Sequence, residues 1–102
     1  MRLAQEGAFV TLSTESKEAL KQLALRHGAY NVRLFGSVAR GESRLSSDVD
    51  LLVEMHPNRT LFDLVGFWQD AEDLLGCKVD VVSERGLSPY LRDRILQEAV
   101  PL

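Results

Sequence analysis

The sequence predicts an α/β domain in which a small mixed β-sheet is backed by helices. Two observations support this fold class. Short β-branched runs alternate along the chain with longer segments whose apolar residues recur at helical spacing. The chain has 102 residues and 45% of them are hydrophobic, which suffices for one core, so we expect a single domain over residues 1–102. Residues 1–12 are weakly patterned and are expected to be frayed or to form an extra strand.

The first helix is predicted to begin at Ser13, an oxygen-bearing cap followed by acidic residues, and to end before Gly28. His27, in its last turn, is expected to face the helix dipole. Residues 31–35 alternate apolar and polar side chains and predict a strand. A short helix through residues 39–40 and a polar loop over 41–47 are expected to follow.

Residues 48–54 predict the second strand, and the turn after it contains Pro57. His56 is expected to be a surface residue of this turn, yet close enough to the strand to line a site. A helix is predicted over residues 61–75, with Thr60 and Gly76 as its caps. Its apolar residues occupy more than one side, and four of them are assigned to the core: Leu64, Val65, Trp68 and Leu75.

Residues 78–83 predict the third strand, and a last helix is expected from Ser88-Pro89 to Ala99. In the strand, Val79 and Val81 share one face while Asp80 lies on the other. An acid within a β-branched run is unfavourable unless it has a partner. Asp80 is therefore predicted to be a functional carboxylate. The alternative is an ordinary ion pair with Lys78 or an arginine.

Two further acids, Asp48 and Asp50, stand two apart at the start of the second strand. Residues two apart in a strand project to the same face, so both carboxylates are expected to converge. Two such acids repel unless a cation lies between them, and oxygen ligands suit Mg²⁺. Asp48, Asp50 and Asp80 are thus the predicted metal ligands.

The segment before these acids has the features of a phosphate site. Gly36 can adopt a positive φ and allow close approach to the backbone. Ser37 offers a hydroxyl where a helix begins, and Arg40 follows one turn later, so both can reach a phosphate. A Gly-Ser turn, an Asp-x-Asp pair and a single arginine are each common on protein surfaces and have no functional meaning alone. Their occurrence together in this order predicts nucleotide chemistry.

The composition excludes several classes of protein. The net charge is −3 and the pI is near 5.3, so direct nucleic-acid binding through charge is not expected. A single cysteine, Cys77, cannot form an internal disulfide and fits a reducing cytoplasm. No apolar run approaches a membrane span and no signal-peptide pattern is evident, so we expect a cytoplasmic protein.

The segments GSVARG at 36–41 and SDVDLLV at 47–53 resemble the signature of the minimal nucleotidyltransferases of the DNA polymerase beta superfamily. The similarity extends from about Leu20 to the C-terminus. It implies a polymerase-beta-like palm and an enzyme that transfers AMP from ATP. It also implies two Mg²⁺ ions on Asp48, Asp50 and Asp80, with Gly36, Ser37, Arg40 and Ser47 binding the nucleotide.

The resemblance also bears on the acceptor. The chain has little length for a second substrate domain, and similar free-standing domains are commonly antitoxins that adenylylate a tyrosine of a HEPN ribonuclease toxin. A hetero-oligomer with such a partner is therefore expected, docked on some of Leu61, Phe62 and Phe67 or on residues 87–91. The alternative is a non-catalytic antitoxin that inhibits by binding alone. Transfer onto RNA ends is disfavoured by the acidic balance.

Overall fold

The computed structural model describes residues 12–36 and 49–102 and confirms the α/β class. Its helices are α1 (Thr14–Arg26), α2 (Leu61–Leu75) and α3 (Pro89–Glu98), and its strands are β1 (Ala29–Phe35), β2 (Val49–Met55), β3 (Val79–Ser83) and β4 (Val100–Pro101). The four strands form one sheet in the order β3-β2-β1-β4. The predicted segment at 39–47 lies outside the described residues.

The sheet is mixed, because β2 runs antiparallel to β1 but parallel to β3. The crossover that returns the chain from β2 to β3 is α2, as a parallel pair requires. The short β4 pairs with β1 on its other side, where Val100 lies opposite Leu34. No apolar periodicity predicts β4, which is two residues long and contains a proline, so the sequence analysis placed no strand there.

Local chemistry explains where the first two helices begin and end. The Ser13 side chain accepts the Ser16 backbone N–H at 3.0 Å and caps α1. In α2 the Thr60 hydroxyl accepts a backbone N–H of the first turn while the Asp63 carboxylate accepts the Thr60 N–H at 2.8 Å. Gly76, in the left-handed region, ends α2 as predicted.

The core lies on one face of the sheet, between the strands and helices α1 and α2. α1 contributes Leu20 and Ala24, and α2 contributes Phe67 and Ala71. The strands contribute alternate residues, which include Ala29, Val32, Val49, Leu51, Val53, Val79 and Val81. Because side chains alternate along a strand, the residues between these point to the opposite face, which we call the outer face.

Two residues of α2 differ from their predicted roles. Phe67 was one of three candidates of which some were expected to dock a partner, and its full burial in the core excludes it. Val65 was assigned to the core, but it is 39% exposed. Leu64, Trp68 and Leu75 do pack against the core, as expected. The helix is rotated so that Phe67 and Ala71, one turn apart, face the sheet, which leaves Leu61 and Phe62 outside.

Strand β1 carries a β-bulge that the sequence analysis missed. Tyr30 pairs with Glu54 and Arg33 pairs with Leu52, so one extra residue stands in β1. Asn31 is at this point with a φ of 53°, a left-handed conformation that asparagine tolerates better than most residues. None of the helices that the structure describes is long and apolar enough to cross a membrane.

Candidate active site

Two of the three predicted acids stand side by side on the outer face. The register of the parallel pair places Asp50 directly beside Asp80, and neighbouring strands are about 4.8 Å apart. Val49 and Val79, which precede them, are both in the core, so the carboxylates project away from it. Asp50 is only 9% exposed. The third acid, Asp48, lies outside the described residues.

The backbone at Gly36 closes against this acidic pair. Phe35, the last residue of β1, pairs with Asp50, and Gly36 follows it with a φ of +73°. A Cβ atom at position 36 would fall against the carboxylate oxygen of Asp50 and within 3.1 Å of its Cγ atom. Glycine is therefore required here both by conformation and by space. The other predicted nucleotide-binding residues, Ser37, Arg40 and Ser47, lie outside the described residues.

Helix α2 fixes the start of β3 next to Asp80. The Trp68 indole N–H donates to the Val79 carbonyl, and the Val79 backbone N–H donates to the Glu72 carboxylate at 3.1 Å. Both bonds act on the residue immediately before Asp80. They satisfy backbone groups at the edge of the sheet that would otherwise lack partners. The position of the Asp80 carboxylate thus depends on side chains of the crossover helix.

The alternative partner weighed for Asp80 is not observed. Within residues 12–36 and 49–102, no ion pair joins Asp80 to Lys78 or to an arginine. Two adjacent carboxylates repel each other, and a divalent cation would offset that repulsion. Their oxygen atoms are the ligands that Mg²⁺ prefers, so the donor set fits this metal. In the described part of the chain, no group of three or more potential metal ligands occurs, and a complete site needs the predicted Asp48.

Arg33 is a buried charge on the outer face that the sequence analysis took only as the polar member of an alternating strand. It lies opposite Leu52 in β2 and is 9% exposed. Its Nη2 donates to Glu84 at 2.9 Å and its Nε donates to the Asn31 carbonyl at 3.0 Å. These partners direct the guanidinium toward the bulge and the residues that follow β3, away from the acids. Nothing in the alternation of β1 indicates this burial.

His56 is exposed in the turn after β2, as expected, but it does not line the acidic site. It comes after the end of β2, six residues beyond Asp50, at the opposite end of the strand. Its backbone N–H donates to the Gly28 carbonyl at 2.9 Å, and its ring stacks on Tyr30 with centroids 4.5 Å apart. The bulge places Tyr30 beside this loop, and His56 therefore packs at the far end of the sheet.

Comparisons with known proteins identify the family of the chain. The nucleotidyltransferase domain family matches residues 14–102. A candidate protein adenylyltransferase of Methanocaldococcus jannaschii is 42% identical over 84% of this chain and 92% of its own length. The protein adenylyltransferase MntA of Thermococcus cleftensis is 35% identical over 78% of this chain and 81% of its own length.

The fold is also found among solved structures. A candidate minimal nucleotidyltransferase has a TM-score of 0.77 and 55% sequence identity to this chain, and the match covers 86% of this chain and 90% of that one. The family match spans most of the sequence, including the strands that carry Asp50 and Asp80. The chain therefore belongs to the nucleotidyltransferase domain family.

Proposed function

We propose that this protein transfers AMP from ATP to a hydroxyl group of a partner protein. The observation that carries the proposal is the in-register pair of Asp50 and Asp80 on the outer face, closed on one side by Gly36. The relatives named as protein adenylyltransferases support a protein as the acceptor. Asp48, Asp50 and Asp80 would hold Mg²⁺, which when bound supplies positive charge that offsets the charge of the triphosphate.

In the proposed reaction the acceptor oxygen attacks the α-phosphorus of ATP. The bond from that phosphorus to the bridging oxygen of the β-phosphate breaks, and its electron pair leaves with pyrophosphate. The hydroxyl proton passes to Asp80 or to water. Gly36 leaves room for the triphosphate, and Ser37, Arg40 and Ser47 would bind its oxygens by hydrogen bonds and charge.

We further propose that the acceptor is a tyrosine of a HEPN ribonuclease toxin and that the protein is its antitoxin in the cytoplasm. This second proposal rests on the resemblance of the segments at 36–41 and 47–53 to the minimal nucleotidyltransferases that act as antitoxins. The exposed side chains of Leu61 and Phe62, 71% and 87% accessible, remain available for a protein partner. The rival function is a non-catalytic antitoxin that neutralises the toxin by binding alone.

One double variant separates the two functions. Asp48→Ala with Asp50→Ala removes two carboxylates from the site and leaves the docking side chains in place. The test coexpresses the HEPN toxin proposed as the partner with the wild type or with the double variant. If AMP transfer is the mechanism, only the wild type restores growth and raises the mass of the toxin by adenylate. If the double variant restores growth as well as the wild type does, and neither protein changes the mass of the toxin, the protein acts by binding and not as an enzyme.

A further inference from the structure

A second recess lies at the end of the sheet opposite the acidic pair. It has a volume of about 410 Å³ and is enclosed by the loop after β2, the first turn of α2, the residues after β3 and one side chain of α3. We call it the distal cleft. Its polar lining includes Tyr30 and five charged residues, Glu54, Arg59, Glu84, Arg85 and Arg92.

The position of the distal cleft follows from the topology. Strands β2 and β3 are parallel, and both end at this cleft. Asp50 and Glu54 are four residues apart in β2, which is about 13 Å along the strand. The cleft is therefore separate from the acidic pair, but one protein ligand can span both.

The charges of the cleft favour an anionic ligand. Glu84 already binds Arg33 at 2.9 Å and Arg92 at 3.2 Å, and Arg59 binds Asp63 at 3.2 Å. Arg85 is exposed, and in the described part of the chain no ion pair engages it. Three arginines and two glutamates line the cleft and give it a formal charge of +1, whereas the chain as a whole has a net charge of −3.

The apolar lining distinguishes a peptide from a small anion. Met55, Leu61 and Leu64 line the cleft together with the charged groups, and Leu61 is 71% exposed. A free phosphate would gain nothing from these side chains. An extended peptide can instead place a carboxylate on Arg85 and an apolar side chain on Leu61.

We infer that the distal cleft is a docking site for an acidic peptide segment that also carries apolar residues, supplied by the protein acceptor. This inference rests on the proposed transfer to a protein. The acceptor would bind at two points, with its hydroxyl at the acidic pair and its acidic segment about 13 Å away along β2. Docking of this kind raises the effective concentration of the hydroxyl without adding contacts at the reacting atoms.

The test uses a blocked decapeptide of alternating glutamate and leucine, with a lysine-leucine decapeptide as the reversed-charge probe. Backbone amide signals of the ¹⁵N-labelled protein are followed by NMR as each peptide is added. We expect the glutamate peptide to shift the signals of Leu61 and Arg85 and the lysine peptide to leave them unchanged. Arg85→Glu should weaken binding about five- to tenfold, because an attractive contact becomes a repulsive one.

Arg94→Glu is the matched control. It makes the same charge change in α3, but Arg94 is 72% exposed and is absent from the lining of the cleft, so binding should equal that of the wild type. Equal binding by Arg85→Glu and the wild type, or no shift near the cleft, would overturn the inference. Displacement of the peptide by equimolar inorganic phosphate would also overturn it and assign the cleft to small anions.

A titration with Mg-ATP on the same samples reports separately on the proposed function. If neither the wild type nor any variant binds Mg-ATP, nucleotide transfer is contradicted. The result of the peptide titration is not affected by that outcome. Retained Mg-ATP binding together with an unoccupied cleft would contradict only the docking site. The two proposals are thus tested by different signals.

Discussion

The replacement of Gly36 by alanine tests whether the close approach of its backbone to Asp50 matters for the site. Gly36 has a φ of +73°, where an alanine is strained by about 1–2 kcal/mol. Alanine also reduces the conformational freedom of the unfolded chain, which offsets about 0.4–1 kcal/mol of this strain. The new methyl group would also overlap the Asp50 carboxylate, and overpacking a buried site costs about 1–3 kcal/mol more.

Gly76 provides a control with the same backbone strain. Its φ is +68°, and a Cβ atom there would meet no atom within 4 Å. We therefore expect Gly76→Ala to lower the free energy of unfolding by about 1 kcal/mol and Gly36→Ala to lower it by about 2–4 kcal/mol. For a domain of this size, each kcal/mol lowers the melting temperature by about 4–8 °C.

The measurements are urea unfolding followed by circular dichroism, and AMP transfer from labelled ATP to a toxin acceptor. Gly36→Ala should lose transfer because the methyl group turns the Asp50 carboxylate out of place, whereas Gly76→Ala should keep it. If both variants lose the same stability and Gly36→Ala transfers AMP at the wild-type rate, the approach of the backbone to Asp50 has no functional meaning.

Three further predictions concern the acidic pair and helix α2. Asp80→Ala should abolish transfer and melt at or above the wild-type temperature, since carboxylate repulsion is relieved; full transfer would exclude Asp80 from the site. Glu72→Ala should lower the free energy of unfolding in urea by about 1–3 kcal/mol because the Val79 N–H loses its acceptor, and Glu72→Gln should lose less. The Thr60 backbone N–H holds the pKa of Asp63 below its ordinary value of 3.8. Asp63 therefore stabilises the fold above that pH, and the stability is lost as the pH falls through the lower, folded pKa. Asp63→Asn should flatten this part of a urea-midpoint profile, and an unchanged profile would assign it to another group.

Much of the fold is encoded locally and could be predicted. The caps at Ser13 and Thr60 set the first turns of two helices, and the alternation in β3 separates Asp80 from Val79 and Val81. The rotation of α2 could not be predicted, because apolar residues surround more than one side of it. Only packing against the sheet selects Phe67 for the core and leaves Phe62 outside.

The candidate site was predictable in part for a similar reason. The spacing of Asp48 and Asp50, and the position of Asp80 within a β-branched run, indicate chemistry without knowledge of the fold. The distal cleft, by contrast, is assembled from several separate segments of the chain, none of which has a motif. The burial of Arg33 depends on Glu84, 51 residues away in the sequence, so no local pattern reports it.

The bulge at Asn31 has a consequence for aligning this chain with its homologues. The extra residue lets Tyr30 and Arg33, three positions apart, lie on the same face of the sheet. A homologue that lacks this residue would have a regular strand, in which the residues matching Tyr30 and Arg33 are two positions apart and still share a face. An alignment without a one-residue gap at this point would therefore compare residues that face the core with residues that face the solvent. Alignments should place such gaps by facing and not by identity.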